Sequence, residues 1–234
     1  MIRNNDELNV QGAAKELSRE EVSQRYPEVP RLIILKIDVQ RRGVAYTDRA
    51  LARADETQHQ MRTPMIFGYR DGTIKPCPFS LLLRDGTSII TDPAPPEGNP
   101  YVVDVVDDRL VLTDEGEILE EVEYWLKPDF YGEKTRRGTP MELVAQGRPQ
   151  RLTICPYAHC HFWDDGNGCK YCDVLPNLKR QRELKTKMPT CLEPQDVSET
   201  IHEALKEKGR WTGICLTSGS NPKGKEPFDQ EVDL

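Results

Sequence analysis

Short apolar runs separated by turn sequences fill residues 31–126. Asp85-Gly86 lies between two of these runs, and Asp-Gly in that position is typical of a β-hairpin because both central turn residues favour positive φ. Runs of about four to eight apolar or β-branched residues have the length of strands rather than of helices. The pattern therefore predicts an all-β meander or small barrel, mostly antiparallel. Its predicted strands cover residues 32–37, 44–47, 65–69, 79–83, 87–90, 101–106, 109–113 and 118–126.

Helical patterns occur at both ends of the chain. Ser18 and Glu21 have the spacing of a capping box, which predicts a short helix over residues 19–25. Residues 195–208 carry apolar side chains at helical spacing and end at Gly209, which predicts an amphipathic helix. Residues 48–58 also favour a helix by composition. Between these patterns, residues 127–150 are polar and rich in glycine and proline, as in a linker.

One apolar strand is predicted on each side of the amphipathic helix, at residues 152–154 and 211–217. The order strand, helix, strand predicts parallel pairing with a right-handed crossover. The change of pattern places a domain boundary near residue 145. We therefore predict a β-rich domain over residues 1–145 and a βα domain over residues 146–234.

Charge and hydropathy exclude several classes of function. The chain has 32 Lys and Arg against 39 Asp and Glu, a net charge of −7, which argues against a broadly basic surface for nucleic acid but leaves room for a local basic patch. No apolar run approaches the roughly 20 residues that cross a bilayer, and the first residues lack the apolar core of a signal peptide. We therefore expect no membrane partner, a cytoplasmic location, and cysteines that remain reduced.

Four of the seven cysteines lie between residues 155 and 172, in the spacing C-x4-C-x8-C-x2-C. The four are Cys155, Cys160, Cys169 and Cys172. Three interpretations compete: a closed four-cysteine zinc site, an iron–sulfur cluster held by three cysteines, or reduced thiols without a ligand. Four cysteines in so short a segment disfavour the last of these.

The sequence Cys169-Lys170-Tyr171-Cys172 resembles the C-x-aromatic-C that ends the cluster loop of radical S-adenosylmethionine (radical SAM) enzymes. In that family the loop follows the first strand of the barrel, as it would here after residues 152–154, but the usual spacing is C-x3-C-x2-C. The resemblance implies that Cys160, Cys169 and Cys172 ligate a [4Fe-4S] cluster and that Tyr171 lies beside the adenine of SAM. Cys155 would be spare or would replace Cys160.

Ser218-Gly219-Ser220 follows the second predicted strand. Radical SAM enzymes carry a glycine-rich segment there, often Gly-Gly-Glu, that holds the amino group of SAM. The segment here lacks the acidic residue, and a strand ending in Ser-Gly is also ordinary turn chemistry. The resemblance implies that Ser218, Gly219 and Ser220 contact SAM.

The resemblance implies a fold and an activity. The fold class is α/β, the start of a partial TIM-type (βα) barrel of parallel strands, preceded by the mostly antiparallel β domain. The activity is reductive cleavage of SAM to a 5′-deoxyadenosyl radical that abstracts hydrogen from an unknown substrate, with a ferredoxin or flavodoxin as electron donor. Residues 151–234 have room for only about two βα units. We therefore expect a fragment, or a barrel completed by another polypeptide, that is inactive alone.

The alternative from another class is a non-enzymatic zinc-binding module that uses all four cysteines. Other candidates are weaker. The basic loop at residues 134–138 would bind a phosphate or acidic substrate, or remain a solvated loop. A second basic stretch at residues 177–189 would contact a carboxylate or phosphate of a substrate or a nucleic-acid backbone, or form an exposed helix face. Cys77 is interpreted as an inert turn residue, and Cys191 and Cys215 are interpreted as structural.

Overall fold

Two separate β-sheets organise the chain. The computed structural model describes residues 16–61, 76–164, 166–170, 172, 178–179 and 189–220. Within them, the first half of the chain forms a six-stranded sheet and the second half forms a three-stranded sheet. The strand predicted at residues 65–69 lies outside the described residues. No helix in the described part of the chain is long and apolar enough to cross a membrane.

Two helices precede the first sheet. Helix α1 (Arg19–Arg25) begins at Ser18, and the predicted capping box with Glu21 is confirmed. Helix α2 (Arg31–Arg42) occupies the run that we predicted as the strand 32–37, so that prediction is wrong.

The pattern of burial along α2 explains the error. Ile34, Leu35 and Val39 face the core, whereas Ile33 and Ile37 are exposed. This spacing is helical, and burial of one helix face outweighs the strand preference of the isoleucines. Gly43, at a φ of 78°, ends the helix in a conformation that favours glycine. The first region is therefore not all-β.

The six-stranded sheet has the order β1-β4-β5-β6-β2-β3. Its strands are β1 (Val44–Tyr46), β2 (Ser80–Leu83), β3 (Ser88–Ile90), β4 (Tyr101–Val106), β5 (Arg109–Asp114) and β6 (Glu117–Tyr124). The β2–β3 hairpin and the β4–β5–β6 meander confirm the antiparallel pattern. Strand β1 is the exception, because it pairs with β4 in parallel and not with residues 32–37. After β1, helix α3 (Asp48–Leu51) is shorter than the predicted helical stretch.

The second sheet has the order β7-β8-β9, with β7 (Ala145–Arg148), β8 (Arg151–Ile154) and β9 (Gly213–Leu216). Strands β7 and β8 form an antiparallel hairpin, whereas β8 and β9 pair in parallel. Helix α4 (Met141–Val144) precedes β7, so the predicted linker 127–150 is wrong over this part. The described residues give this sheet three strands and do not show a TIM-type barrel.

The predicted amphipathic helix is confirmed as α6 (Pro194–Ala204), which lies between β8 and β9 in the chain. Its buried residues Val197 and Ala204 share one apolar cluster with Leu152 and Ile154 of β8. Phe130, Met141 and Val144 join the same cluster. Residues well before 145 therefore pack with the second sheet, and the boundary near 145 stays a prediction.

Side chains of the described residues join the two regions. The Gln60 side-chain amide donates to the carbonyl of Gly147 at 2.7 Å. The guanidinium of Arg148 lies 4.3 Å from the centre of the Phe79 ring. The guanidinium of Arg210 lies 5.1 Å from the Trp125 ring centre. The two sheets are thus held together by hydrogen bonding and by cation–π contacts.

Candidate functional site

The carboxyl ends of β8 and β9 lie side by side because the two strands are parallel. Ile154 pairs with Leu216, and the Thr217 amide donates to the Ile154 carbonyl at 3.0 Å. Open sheets with parallel strands bind ligands at this edge. The cysteine loop leaves β8 here, and the segment Ser218–Ser220 leaves β9 here.

Hydrogen bonds tie this segment to the start of the cysteine loop. The Gly219 amide donates to the Tyr157 carbonyl at 2.9 Å, and the His161 amide donates to the Ser220 carbonyl at 2.9 Å. Gly219 is buried, whereas Ser218 and Ser220 are half-buried. The structure thus brings the two predicted sequence motifs into direct contact.

Close approach of the backbone explains why residue 219 is glycine. A Cβ built on Gly219 would overlap the carbonyl oxygen of His159 and would lie 3.1 Å from the Cβ of Cys160. The backbone conformation of Gly219 is not the cause, since its φ is outside the left-handed region. Any side chain at this position would push the segment away from the loop.

The C-x2-C pair forms a turn. The Cys172 amide donates to the Cys169 carbonyl at 3.1 Å, which is the hydrogen bond of a β-turn. Cys169 is exposed, and Cys160 and Cys172 are half-buried. Tyr171, the predicted neighbour of the adenine, lies outside the described residues.

A short helix takes up the extra length between Cys160 and Cys169. Helix α5 (His161–Asp164) starts directly after Cys160, and the Asn167 amide closes the loop by donating to the Phe162 carbonyl at 2.7 Å. Gly168 packs against the ring of Trp163 so closely that a Cβ there would overlap the ring. The loop therefore returns towards its start before Cys169 is reached.

The segment that precedes α6 also reaches this loop. Tyr157 and Cys191 form an antiparallel bridge, flanked by hydrogen bonds from Ala158 to Thr190 at 2.8 Å and from Leu192 to Pro156 at 2.9 Å. These flanking bonds make Tyr157 and Cys191 a non-hydrogen-bonded pair, in which side chains lie closest. We interpreted Cys191 as structural, but the structure places it beside the loop. A pairing between distant residues leaves no signal in the sequence.

Polar side chains gather around Tyr157. Partial burial raises the pKa of the Tyr157 phenol, and the neighbouring Cys191, Asp164 and Cys160 add to that rise. His159 lies edge-on to the Tyr157 ring, with 6.0 Å between ring centres. The Nε2 of His159 also lies 3.2 Å from a carboxylate oxygen of Asp164. Sequence reasoning assigned no role to Tyr157, His159 or Asp164.

Cys155 is turned towards its own loop. Its thiol donates to the Tyr157 carbonyl, with 3.5 Å between sulfur and oxygen. Cys160 carries no such contact in the described residues, although its carbonyl accepts from the Trp163 amide at 3.2 Å. The two thiols therefore differ: the Cys155 thiol is hydrogen-bonded within its own loop, whereas the Cys160 thiol lies just before α5 without a bond of this kind to the described residues.

The donor set fits a metal cluster in its chemistry, because thiolates are the ligands of iron–sulfur clusters and of structural zinc. All seven cysteines are free thiols. Among the described residues, no three His, Cys, Asp or Glu side chains already lie close enough together to hold a metal ion. Ligands in a loop can converge when the metal binds, because metal binding is coupled to folding of the site.

The basic loop at residues 134–138 contacts acidic side chains of helix α6. The Arg136 amide donates to the Glu199 carboxylate at 2.8 Å, and the Arg137 Nε lies 3.6 Å from the Asp196 carboxylate. Both acidic residues belong to α6, so the loop packs along that helix. Of the second basic stretch, residues 177 and 180–188 lie outside the described residues. Cys77 is buried and Cys215 is half-buried.

Comparisons with family models, with curated proteins and with solved structures found no match to this chain. Function is therefore inferred from the residues and the geometry of the site.

Proposed function

We propose that this chain is a radical SAM enzyme in which Cys160, Cys169 and Cys172 hold a [4Fe-4S] cluster. The observation that supports the proposal most strongly is the contact between the cysteine loop and the segment Ser218–Ser220. Two motifs almost 60 residues apart in sequence meet at the carboxyl edge of two parallel strands. In the proposed fold, β8, α6 and β9 are the first elements of a partial TIM-type barrel.

The shape of the cysteine loop also supports the proposal. The hydrogen bond from the Asn167 amide to the Phe162 carbonyl and the contact of Gly168 with the Trp163 ring fold the connection between Cys160 and Cys169 back on itself. A connection folded in this way would bring Cys160 and Cys169 closer together than eight extended residues would, as the shorter spacing of the family does. The longer spacing is thus compatible with three thiolates on one cluster.

Each predicted site residue has a defined part in this proposal. The thiolates of Cys160, Cys169 and Cys172 would hold the cluster, the Ser218–Ser220 segment would receive the amino group of SAM, and Tyr171 would contact the adenine. When bound and reduced, the cluster supplies the electron that cleaves SAM to methionine and a 5′-deoxyadenosyl radical, which abstracts a hydrogen atom from the substrate. A ferredoxin or flavodoxin in the cytoplasm would supply that electron. The substrate is not assigned.

The test is metal analysis of protein purified and reconstituted without oxygen. We expect about four irons and four sulfides per chain and a brown absorbance that changes when SAM is added. Cys169→Ala should lose the iron because one of three ligands is gone, whereas the matched control Cys215→Ala, within β9 and paired with Thr153, should keep it.

Two results would contradict the proposal. Unchanged iron content in Cys169→Ala would show that the loop does not hold the cluster. One zinc per chain without colour, lost on substitution of any of Cys155, Cys160, Cys169 and Cys172, would instead establish the four-cysteine zinc module.

A further inference from the structure

His161 makes two contacts with one backbone oxygen. Its amide nitrogen lies 2.9 Å from the Ser220 carbonyl oxygen, and its ring Nδ1 lies 2.9 Å from the same atom. A carbonyl oxygen only accepts, so Nδ1 must carry the proton. The contact therefore fixes the tautomer of the half-buried His161 ring.

These contacts saturate the Ser220 carbonyl, because an oxygen of this type has two lone pairs. Together with the bond from Gly219 to Tyr157, three hydrogen bonds hold the segment Ser218–Ser220 against the loop. Two of these three are backbone–backbone bonds, and the third comes from the His161 ring. A substitution of His161 can therefore remove one of these bonds without changing the backbone.

His161 also lies next to Cys160, at the first residue of α5. Its ring packs on the Phe162 ring with 4.1 Å between centres, which limits the rotation of the side chain. One rigid residue thus links the position of a proposed cluster ligand to the position of the segment that receives SAM.

We infer that His161 is a positioning residue that sets the Ser218–Ser220 segment at a fixed distance from the cluster, through its Nδ1–H bond to the Ser220 carbonyl. This inference rests on the proposed function. The residue does not ligate iron. Its effect is on SAM, because groups that bind a ligand together must be held to within about 0.5 Å of the productive geometry.

Two variants separate the hydrogen bond from the bulk of the ring. His161→Asn keeps a donor close to the place of Nδ1, whereas His161→Phe keeps a planar ring and removes the donor. Both are reconstituted as the full chain without oxygen. Iron content and the dissociation constant of SAM, read from the spectrum of the reduced cluster, are then compared with those of the wild type.

We expect unchanged iron in both variants, SAM binding about tenfold weaker in His161→Phe, and SAM binding within about threefold of the wild type in His161→Asn. SAM binding by His161→Phe as tight as by the wild type overturns the inference. Loss of iron in His161→Phe, or binding by His161→Asn as weak as by His161→Phe, overturns it as well. A wild type that takes up no iron overturns the proposed function itself, which is a distinguishable result.

A second measurement needs no cluster. Long-range nitrogen–proton NMR spectra of the histidine rings in the metal-free protein report which ring nitrogen carries the proton. We expect His161 as the Nδ1–H tautomer, assigned by the loss of its signals in His161→Phe. An Nε2–H tautomer would overturn the inference, since the bond to Ser220 would then lack its proton.

Discussion

The two sheets use their polar side chains differently. Around the first sheet, charged groups pair with one another. Arg42 donates to Asp114 at 2.6 and 3.0 Å, and the Tyr101 hydroxyl donates to Asp38 at 2.6 Å. Around the second sheet, thiols, histidines and hydroxyls gather at one edge, where β8 and β9 end. The first arrangement holds α2 on its sheet, and the second presents groups that can bind a ligand.

Strand direction explains this difference. Antiparallel neighbours end at opposite edges of a sheet, so the loops of the first sheet are divided between two edges. Parallel neighbours end at the same edge, so β8 and β9 deliver their following loops to one place. The first sheet also has one parallel pair, β1 with β4, but its other four pairings are antiparallel, so most of its loops are not brought together at one edge.

The largest expected effect comes from the two cores. Leu112 in the first sheet and Leu152 in the second are both fully buried. Replacing either with alanine should lower the free energy of unfolding by about 2–5 kcal/mol, because each leaves a cavity. Urea unfolding followed by circular dichroism measures this loss.

The same pair of variants sharpens the comparison between the sheets. Leu152→Ala should also reduce the iron that folded protein takes up, since Leu152 lies in the strand that leads into the cysteine loop. Leu112→Ala should take up iron like the wild type. Equal loss of iron in both variants would show that the site depends on the whole molecule and not on the second sheet.

A smaller effect is expected from the buried hydroxyl of the first sheet. Tyr101→Phe removes the donor to Asp38 and should cost about 1.5–3 kcal/mol of stability, the usual range for hydrogen bonds to charged groups. Tyr26→Phe is the matched control, because Tyr26 is exposed and should change stability by less than about 0.5 kcal/mol. Equal effects in urea unfolding would refute a structural role for the Tyr101 hydroxyl.

The smallest expected effect is a dependence of stability on pH that Asp38 in helix α2 causes. Burial raises the pKa of Asp38, but hydrogen bonds from Tyr101 and Arg41 and the charges of Arg41 and Arg42 outweigh it and lower the pKa below 3.8 overall. A carboxyl with a lowered pKa stabilises the fold above its unfolded pKa, and this stabilisation is lost as the pH falls through the folded pKa.

Thermal unfolding measured from about pH 7 down to about pH 3 checks this sign. The wild type should lose more stability below about pH 4 than Asp38→Asn, because the variant has no carboxylate to protonate. Curves that remain parallel over the whole range would exclude Asp38 as a source of the acid sensitivity.

Local sequence signals predicted much of the fold. The Asp85-Gly86 hairpin, the capping box at Ser18 and the helix that became α6 are confirmed, since each depends on residues close together in the chain. Helix α2 was missed because a short apolar run fits either a strand or a buried helix face until its partners are known. The parallel pairing of β1 with β4 was also missed, because only tertiary structure decides it.

The same distinction applies to the site. The cysteine loop and the Ser218–Ser220 segment could be found in the sequence, because cysteine spacing and a Ser-Gly-Ser after a strand are local patterns. The bond from His161 to Ser220 and the pairing of Tyr157 with Cys191 were not, because they join residues that are far apart in the chain. The role of Gly219 follows only from the backbone that approaches it.

The parallel pairing of β8 with β9 has a consequence for the order of folding. Strands β7 and β8 are joined by a tight turn and close locally, whereas Leu152 must find Ile214 across the whole cysteine loop and α6. Closing the longer loop costs more entropy and is slower. We therefore expect the hairpin to form first and β9 to dock later. Until β9 docks, the start of the cysteine loop lacks its hydrogen bonds to Gly219 and Ser220 and is held to the sheet by the hairpin side.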